Sequence, residues 1–513
     1  NLVNTIVGAG IIGIPYSLRQ CGLIAGVFLL ILVGYLTDKS LRMIVETASF
    51  HPKLRTRQVL SFEDMMRYPY GRLGWGFILF NMFILAYGAM IAYLIIIKDT
   101  VPTILGLAEG SEGSFVEREM VMIATSLIVI LPLSLQRDMA SLAVTSLLSV
   151  TADVILVGFV AAFSPIKSTV ADAGGFGEVL RDDWLNPTLF VGLGIVSTAM
   201  ACQHSAFIVS GSLQKITVKR WGSVTFRSIS CATILCLILG VCGYLGFLDE
   251  TEGDVLNNFP AHSRESNGAR ALLAITMFFT YPMEAFVARH VFVKLMYNGN
   301  MDGEVVPETG AFRPEFLCFS RRYFLTLGIY ALTLIPALLL DDLGPVLSIT
   351  GSLGASCLSY IAPGMVFFGV NGDVFLSYIG KLLAKHRGTE STTGDIELPV
   401  AGDANTTMQP SQPVFVQEGS KPWWWFPCLM PIWVGLASSG QATMKEMLEN
   451  EQGMFQNSDS AKDEYGDEIE TVEPRIRDFW IAAFLIVFGV VAAVAGIGSN
   501  IYVQVNDIFF SPS

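Results

Sequence analysis

The chain opens with NLVNTIVGAGIIGIPYSL, residues 1–18, a stretch that is apolar enough to enter a lipid bilayer. The same stretch contains Gly8, Gly10, Gly13 and Pro15. Glycine destabilises the interior of a helix by about 1 kcal/mol and proline by about 3 kcal/mol. The composition therefore predicts a membrane span that breaks near its middle. A break in lipid is tolerated only where the freed backbone groups face protein, water or a ligand, because unpaired N–H and C=O groups are costly there.

Two interpretations of this stretch are open. Secondary transporters use interrupted helices to hold a substrate and its coupling ion. Alternatively, small residues four positions apart, such as Ala9 and Gly13, allow two helices to pack closely. The rest of the chain shifts the balance toward the first interpretation.

The composition is that of a polytopic membrane protein. Of the 513 residues, 52% are hydrophobic and 15% are charged, and the mean hydropathy is +0.53. A soluble domain carries about 25% charged residues. Most of the acidic residues behind the net charge of −13 lie in one loop, so the net charge does not indicate a surface for basic partners. No nucleic-acid partner is expected. The eight cysteines form no CxxC pair, which argues against a zinc site or a disulfide framework.

Apolar runs of about 20 residues can cross the hydrocarbon core of a bilayer. Eleven runs qualify as candidates: residues 1–18, 22–45, 75–97, 120–135, 140–163, 188–213, 230–247, 271–296, 324–340, 343–370 and 479–503. Span 6 is interrupted like span 1, by Gly192, Gly194 and the polar stretch AMACQHSAF, residues 199–207. Interruptions at matching places in two halves indicate an inverted repeat. The predicted fold class is an all-α polytopic membrane protein with 11 transmembrane helices. Its first ten helices form a 5+5 inverted repeat with broken helices 1 and 6, and helix 11 follows.

The predicted domains are a transporter core (1–370), an acidic and largely disordered cytosolic loop (371–474), and helix 11 with a short C-terminus (475–513). Within the loop, the proline-containing segment 421–436 is interpreted as an interfacial segment, because it is short for a twelfth span. Basic residues that follow the even-numbered spans, such as Arg55, Arg57 and Arg220, predict a cytosolic N-terminus. Since the sequence begins with Asn, we expect a preceding segment in the full protein.

Seven motifs occur in order along the chain: NLVNTIVGAGIIGIPY, GAMIAYL, ILPLSLQR, ACQHSAF, GYLGFLDETEGDVLNNF, TYPMEAFVARHV and GSLGASCLSYIAP. With these motifs the sequence resembles the sodium-coupled neutral amino-acid transporters of the amino acid/auxin permease superfamily, closest to the branch with vacuolar members. The resemblance implies the fold of the bacterial leucine transporter, with a substrate site between spans 1 and 6 and a cation site between spans 1 and 8. Relatives often have Cys-His where this chain has Cys202-Gln203-His204, so a role for the histidine carries over with a one-residue offset.

A free amino acid needs N–H donors for its carboxylate and oxygen acceptors for its ammonium group. Exposed N–H groups at the start of a half-helix suit the carboxylate. The candidates in span 1 are Gly8, Ala9, Gly10 and Ile11. The candidates in span 6 are Ala201, Cys202, Gln203, His204 and Ser205. No cofactor is expected besides Na⁺ or H⁺ as the coupling ion.

Coupling to either ion has candidate residues. Na⁺ prefers oxygen ligands, and Asn4 and Thr280 match the cation-site residues of the family. Thr280 has a second interpretation, a hydroxyl bonded to its own helix. Asp153 and Glu284 are proton-coupling candidates, because charges inside spans are usually functional. The alternative for both carboxyls is a structural pair or a water-lined position. His204 has two interpretations, a group that takes a proton and a hydrogen-bonded core residue, of which the second is favoured.

These features predict a secondary active transporter that moves a neutral L-amino acid by alternating access. Its partners are the amino acid, the coupling cation and the lipid bilayer of the plasma membrane or of a vacuole or lysosome. The alternative function is an amino-acid sensor of the same fold that signals through the loop 371–474. An enzyme is not expected, because the five histidines are scattered, one per region, and form no HxxH-type pair or nucleophile constellation.

Overall fold

A computed structural model describes residues 2–51, 54, 61–107, 115–135, 143–213, 216–297, 321–386 and 474–510. In these ranges every regular element is a helix, which confirms the predicted all-α class. The predicted interfacial segment 421–436 and most of the predicted acidic loop lie outside the described residues.

The first predicted span is interrupted where its glycines predict. Helix α1 (Leu2–Val7) ends at Gly8, whose φ of −47° and ψ of −151° are not helical. A 3₁₀ turn (Ala9–Gly13) follows, and then helix α2 (Ile14–Cys21), which has a proline in its first turn. Proline is tolerated there because the first N–H groups of a helix have no intrahelical acceptor.

Long helices carry the chain up to the second interruption. Helix α3 is Leu23–Phe50 and helix α4 is Phe62–Ile104. Helix α5 (Phe115–Thr125), a π-helical turn (Ser126–Ile130) and helix α6 (Leu131–Ser134) form the fourth predicted span. The fifth predicted span is helix α7, Ala143–Phe163.

Helix α4 bends near its start. Gly71 has a φ of 60° and a ψ of −145°, a conformation that L side chains rarely adopt. On the short arm before the bend, buried Glu63 forms an ion pair with Lys294. The imidazole Nε2 of His290 lies 3.7 Å from the same carboxylate. The bend thus joins the start of α4 to the helix that carries Lys294.

The sixth predicted span is interrupted as well. After two short helices, α8 (Ile166–Asp172) and α9 (Phe176–Asp182), comes helix α10 (Leu189–Ala199). The backbone is not helical from Met200 to Cys202 and then forms a 3₁₀ turn (Gln203–Ser205) before helix α11 (Ala206–Gly211).

The remaining helices are α12 (Val218–Phe247), α13 (Arg264–Tyr297), α14 (Arg321–Leu339), α15 (Leu343–Thr350), α16 (Ala362–Val370), α17 (Gly372–His386) and α18 (Ile476–Phe510). Two π-helical turns, Gly351–Ala355 and Cys357–Ile361, lie between α15 and α16. Seven described helices are long and apolar enough to cross a membrane, or eight if the pair bent by 47° at the end of α7 is counted as one span. The predicted spans 1, 4 and 6 are too interrupted for that criterion, so the count of eleven stays a prediction.

Helix α17 was not predicted, because its charges place it within a polar stretch. It lies at the start of the predicted acidic loop. Phe375 in α17 packs on Phe368 of α16 and on Phe479 of α18, with ring centroids 5.1 and 5.2 Å apart. An aromatic contact with neighbouring helices thus fixes a segment whose composition resembles a loop.

Helix α10 lies at the centre of the fold, against α2, α3, α15 and α18. The two interrupted spans approach each other closely at Gly10, where a Cβ atom would lie 2.5 Å from Cα of Ala199. Span 10 also packs closely against span 6, since a Cβ on Gly351 would lie 1.8 Å from the carbonyl oxygen of Gly194. The close-packing interpretation of the glycines is therefore correct for Gly10, alongside the interruption at Gly8.

Candidate functional site

A small cavity lies where the two interruptions meet. Its volume is about 40 Å³, and a water molecule needs roughly 10–15 Å³. Five predicted spans provide its walls, with the lining residues Thr5, Ile6, Gly8, Gly10, Leu85, Ala89, Tyr93, Thr198, Ala201, His204, Glu284 and Leu347. The cavity has room for a few waters, so an amino acid enters only if the walls move apart.

The span 1 wall contains part of the predicted set. Gly8 and Gly10 line the cavity, whereas Ile11 is buried at 1% exposure and is not among the lining residues. The N–H of Ile11 donates to the carbonyl of Gly8 at 3.1 Å. This bond closes the 3₁₀ turn and occupies the donor that the sequence assigned to a substrate carboxylate. The side chain of Ala9 lies outside the described part of the structure.

The span 6 wall consists of Thr198, Ala201 and His204. Cys202 and Ser205 are buried beside it and bonded to each other, since the Ser205 hydroxyl and N–H donate to the Cys202 carbonyl at 2.9 and 3.1 Å. Gln203 is also buried but is not among the lining residues. Of the five residues predicted in span 6, the structure brings two to the cavity.

Two ionisable side chains reach the cavity from different helices. Glu284 lies on α13 and His204 lies on the interrupted part of span 6. Within the described structure, Nδ1 of His204 is buried and has no hydrogen-bond partner. A carboxyl and an imidazole therefore lie on the wall of one cavity between the two interruptions.

Asp153 lies apart from the cavity wall, although it is buried at 3% exposure on α7. Helix α7 packs against α1 and α13, the helices of the predicted cation site. Among the described residues, Oδ2 of Asp153 has no hydrogen-bond partner. An unpaired buried oxygen of this kind is suited to hold a proton, because a charged carboxylate would be costly there.

The predicted Na⁺ ligands give a mixed result. The Thr280 hydroxyl donates to the carbonyl of Thr276 in its own helix, and the lone pairs of its oxygen stay available to a cation. Asn4 lies on α1, and its side chain is outside the described part of the structure. The described residues contain no cluster of three or more His, Cys, Asp or Glu side chains able to hold a metal ion.

Three polar lining residues were not predicted: Thr5, Thr198 and Tyr93. Tyr93 is buried at 4% exposure and is within electrostatic reach of both Glu284 and Asp153. It belongs to the motif GAMIAYL, where a polar aromatic residue in mid-span was an available signal. The Thr198 hydroxyl donates to the carbonyl of Leu347 at 2.7 Å and joins span 6 to span 10.

A buried charge cluster lies at the C-terminal end of α4, away from the cavity. Arg118 forms an ion pair with Asp99, and Asn257 donates to the same carboxylate at 3.4 Å. In the loop before α13, burial raises the pKa of Asp254 to about 7, and the hydrogen bond from the Leu256 N–H opposes this shift. Within the described structure, Oδ2 of Asp254 has no hydrogen-bond partner.

Comparison with known proteins identifies similar sequences. Residues 1–375 match the family model described as transmembrane amino acid transporter protein. A Bos taurus protein provisionally named sodium-coupled neutral amino acid transporter 11 is 29% identical over 371 residues, which cover 72% of this chain and 74% of that protein. A Danio rerio protein with the same provisional name is 30% identical over 380 residues, covering 73% and 78%. A Saccharomyces cerevisiae protein named vacuolar amino acid transporter 2 is 29% identical over 368 residues, covering 71% and 74%.

Proposed function

Because the chain belongs to the transmembrane amino acid transporter family, we propose that it is a secondary active transporter that couples a neutral L-amino acid to an H⁺ gradient. Family membership confirms the resemblance indicated by the motifs and the prediction that the protein is not an enzyme. Transport proceeds by alternating access of one central site. The proposed architecture has eleven spans, of which the first ten form a 5+5 inverted repeat and the eleventh follows.

The observation that carries this proposal is the cavity between the two interruptions. Each interruption places the C-terminal end of one half-helix beside the N-terminal end of another. The positive N-terminal end near Gly10 holds the substrate carboxylate, and the carbonyl groups near Ala201 hold the ammonium group. Glu284 is the carboxyl on the wall, and a proton or a charged His204 neutralises it. The site therefore favours a substrate without a charged side chain.

Protons are the proposed coupling ion because Glu284 and His204 share the cavity with the substrate. Asp153, with its unpaired oxygen, is the second candidate carboxyl. Na⁺ held by Asn4 and Thr280 is the competing coupling ion, in line with the provisional name of the Bos taurus relative. The proposed location is a plasma, vacuolar or lysosomal membrane with the N-terminus in the cytosol.

The test reconstitutes the full chain in proteoliposomes and varies the pH gradient and the Na⁺ gradient independently. Uptake of a panel of labelled neutral amino acids is measured at a clamped membrane potential. We expect accumulation above equilibrium with a pH gradient in the absence of Na⁺. Accumulation that requires Na⁺ and weakens in Thr280→Ala would identify Na⁺ instead of H⁺ as the coupling ion. No accumulation of any amino acid under either gradient would contradict the transporter.

A further inference from the structure

We propose that Gln203 is a positioning residue for the substrate site. Its amide fixes the interrupted part of span 6 to α3 and to the π-helical turn Cys357–Ile361, and thereby sets where Ala201 and His204 meet the substrate. The inference rests on the proposed function, because it concerns the site at which the amino acid binds.

The amide of Gln203 makes three hydrogen bonds. Its Oε1 accepts the N–H of Cys202 at 3.0 Å and the hydroxyl of Ser359 at 2.7 Å. Its Nε2 donates to the hydroxyl of Ser40 on α3 at 2.8 Å. Gln203, Ser40 and Ser359 are each at most 1% exposed. Two of these three buried hydrogen bonds therefore join the interruption to two other spans, and the third binds the interruption's own backbone.

The first of these bonds compensates for the interruption itself. The backbone is not helical at Cys202, whose φ is −141°. An N–H freed there needs an acceptor, because an unpaired buried donor costs about 1–3 kcal/mol. The next side chain in the sequence provides that acceptor, so Gln203 stabilises the interruption locally while it fixes its position.

Gln203 and His204 are neighbours in the chain but serve different environments. They lie in a 3₁₀ turn, in which consecutive residues are about 120° apart around the axis. His204 lines the cavity, whereas the Gln203 amide bonds to Ser40 and Ser359, which are not among the lining residues. Anchoring the first residue therefore fixes the direction in which the second one faces.

The π-helical turn contacts both sides of the interruption. Ser359 donates to Gln203 after the interruption, and the Tyr360 hydroxyl donates to Ser197 before it at 3.4 Å. The Tyr360 ring packs edge-on against Phe488 of α18, with centroids 5.1 Å apart. Two adjacent residues of span 10 thus hold the two ends of the interruption at a fixed separation.

The experiment measures amino-acid binding by the purified full chain, as ligand-induced thermal stabilisation, together with uptake in proteoliposomes. Gln203→Met keeps the length of the side chain and removes all three bonds. Losing them should raise the half-saturation concentration by about 10-fold or more, while the maximal rate stays within about twofold. Ser359→Ala and Ser40→Ala each remove one bond and should raise it by about threefold. Ser212→Ala is the matched control, since that exposed hydroxyl bonds only to the carbonyl of Val209.

Three outcomes separate the inference from the proposed function. Wild-type half-saturation in Gln203→Met and in both serine variants would overturn the positioning role. If Gln203→Met does not fold, the two serine variants decide, because each leaves the glutamine in place. A wild-type protein that binds amino acids without accumulating them would contradict coupled transport and leave the binding test of Gln203 intact.

Discussion

His204 and Glu284 line the same cavity, although one belongs to the interruption of span 6 and the other to helix α13. A proton exchanged at this pair is exchanged next to the substrate. We therefore expect Glu284→Gln to abolish accumulation driven by a pH gradient while exchange of internal for external amino acid continues. Exchange persists because it needs no net proton movement. Both are measured in proteoliposomes loaded with unlabelled amino acid.

Glu250→Gln is the control for this prediction, because Glu250 lies on an exposed 3₁₀ turn outside the cavity. Full accumulation by Glu284→Gln under a pH gradient would exclude this carboxyl from coupling. The same measurement on Asp153→Asn would then identify the coupling group.

The contact between the two interrupted spans predicts a steric effect at Gly10. In Gly10→Ala the new methyl group would lie 2.5 Å from the backbone of Ala199, so the spans must separate. Overpacking of this kind costs about 1–3 kcal/mol. We expect a lower unfolding temperature in detergent and loss of uptake. Gly76→Ala is the control, because no atom lies within 4 Å of its added methyl group. Equal unfolding temperatures for the two variants would contradict the close contact.

The ion pair between Asp99 and Arg118 predicts a large loss of stability when one partner is removed. Both side chains are buried, at 4% and 6% exposure. Arg118→Met leaves a buried carboxylate without its guanidinium partner, and we expect destabilisation by about 3–5 kcal/mol. The double variant Asp99→Asn with Arg118→Met should recover most of that loss. Chemical unfolding of the purified variants measures both, and equal stability of the single and double variants would argue against the pair.

Asp254 predicts a dependence of stability on pH. Its folded-state pKa of about 7 lies above the unfolded value near 4, so the folded protein retains a proton that the unfolded chain has released. The free energy of unfolding should therefore fall as pH rises from about 4 to 7. Asp254→Asn keeps an oxygen for the Leu256 N–H and removes the titration. Its unfolding temperature should exceed that of the wild type above pH 7 and change less between pH 5 and 7.

The exposed neighbour Asp249 provides the control for the pH prediction. Asp249→Asn should leave the wild-type pH dependence in place. If the unfolding temperature of Asp254→Asn changed with pH as steeply as that of the wild type, the pH dependence would belong to another group at this end of the molecule.

The two interruptions were predictable from sequence because they depend on local chemistry. Gly8 and its neighbours weaken the helix wherever it lies, and the structure leaves the helical conformation at that residue. The direction of individual side chains was not predictable. Gln203 and His204 are both polar residues in one apolar span, and the hydroxyls that bind the Gln203 amide, those of Ser40 and Ser359, are far away in sequence.

The π-helical turns of span 10 show the same limit. The stretch GSLGASCLSYIAP looks like an ordinary apolar helix up to Pro363, yet it forms two wide turns where it contacts span 6. There the carbonyl oxygen of Gly194 lies 1.8 Å from the position that a Cβ of Gly351 would take. Close contact with a second span, rather than helix propensity, coincides with the change of winding.

The part of α4 after the bend at Gly71 is about 50 Å long at 1.5 Å per residue. The hydrocarbon core of a bilayer is about 30 Å thick. This part of helix α4 is therefore long enough to reach the aqueous layers on both faces of the membrane. Its far end carries Asp99, and its hinged end is tied through Glu63 to Lys294. We expect a tilt of this helix that weakens one of these ion pairs to strain the other one, so that the two ion pairs are mechanically coupled across the bilayer.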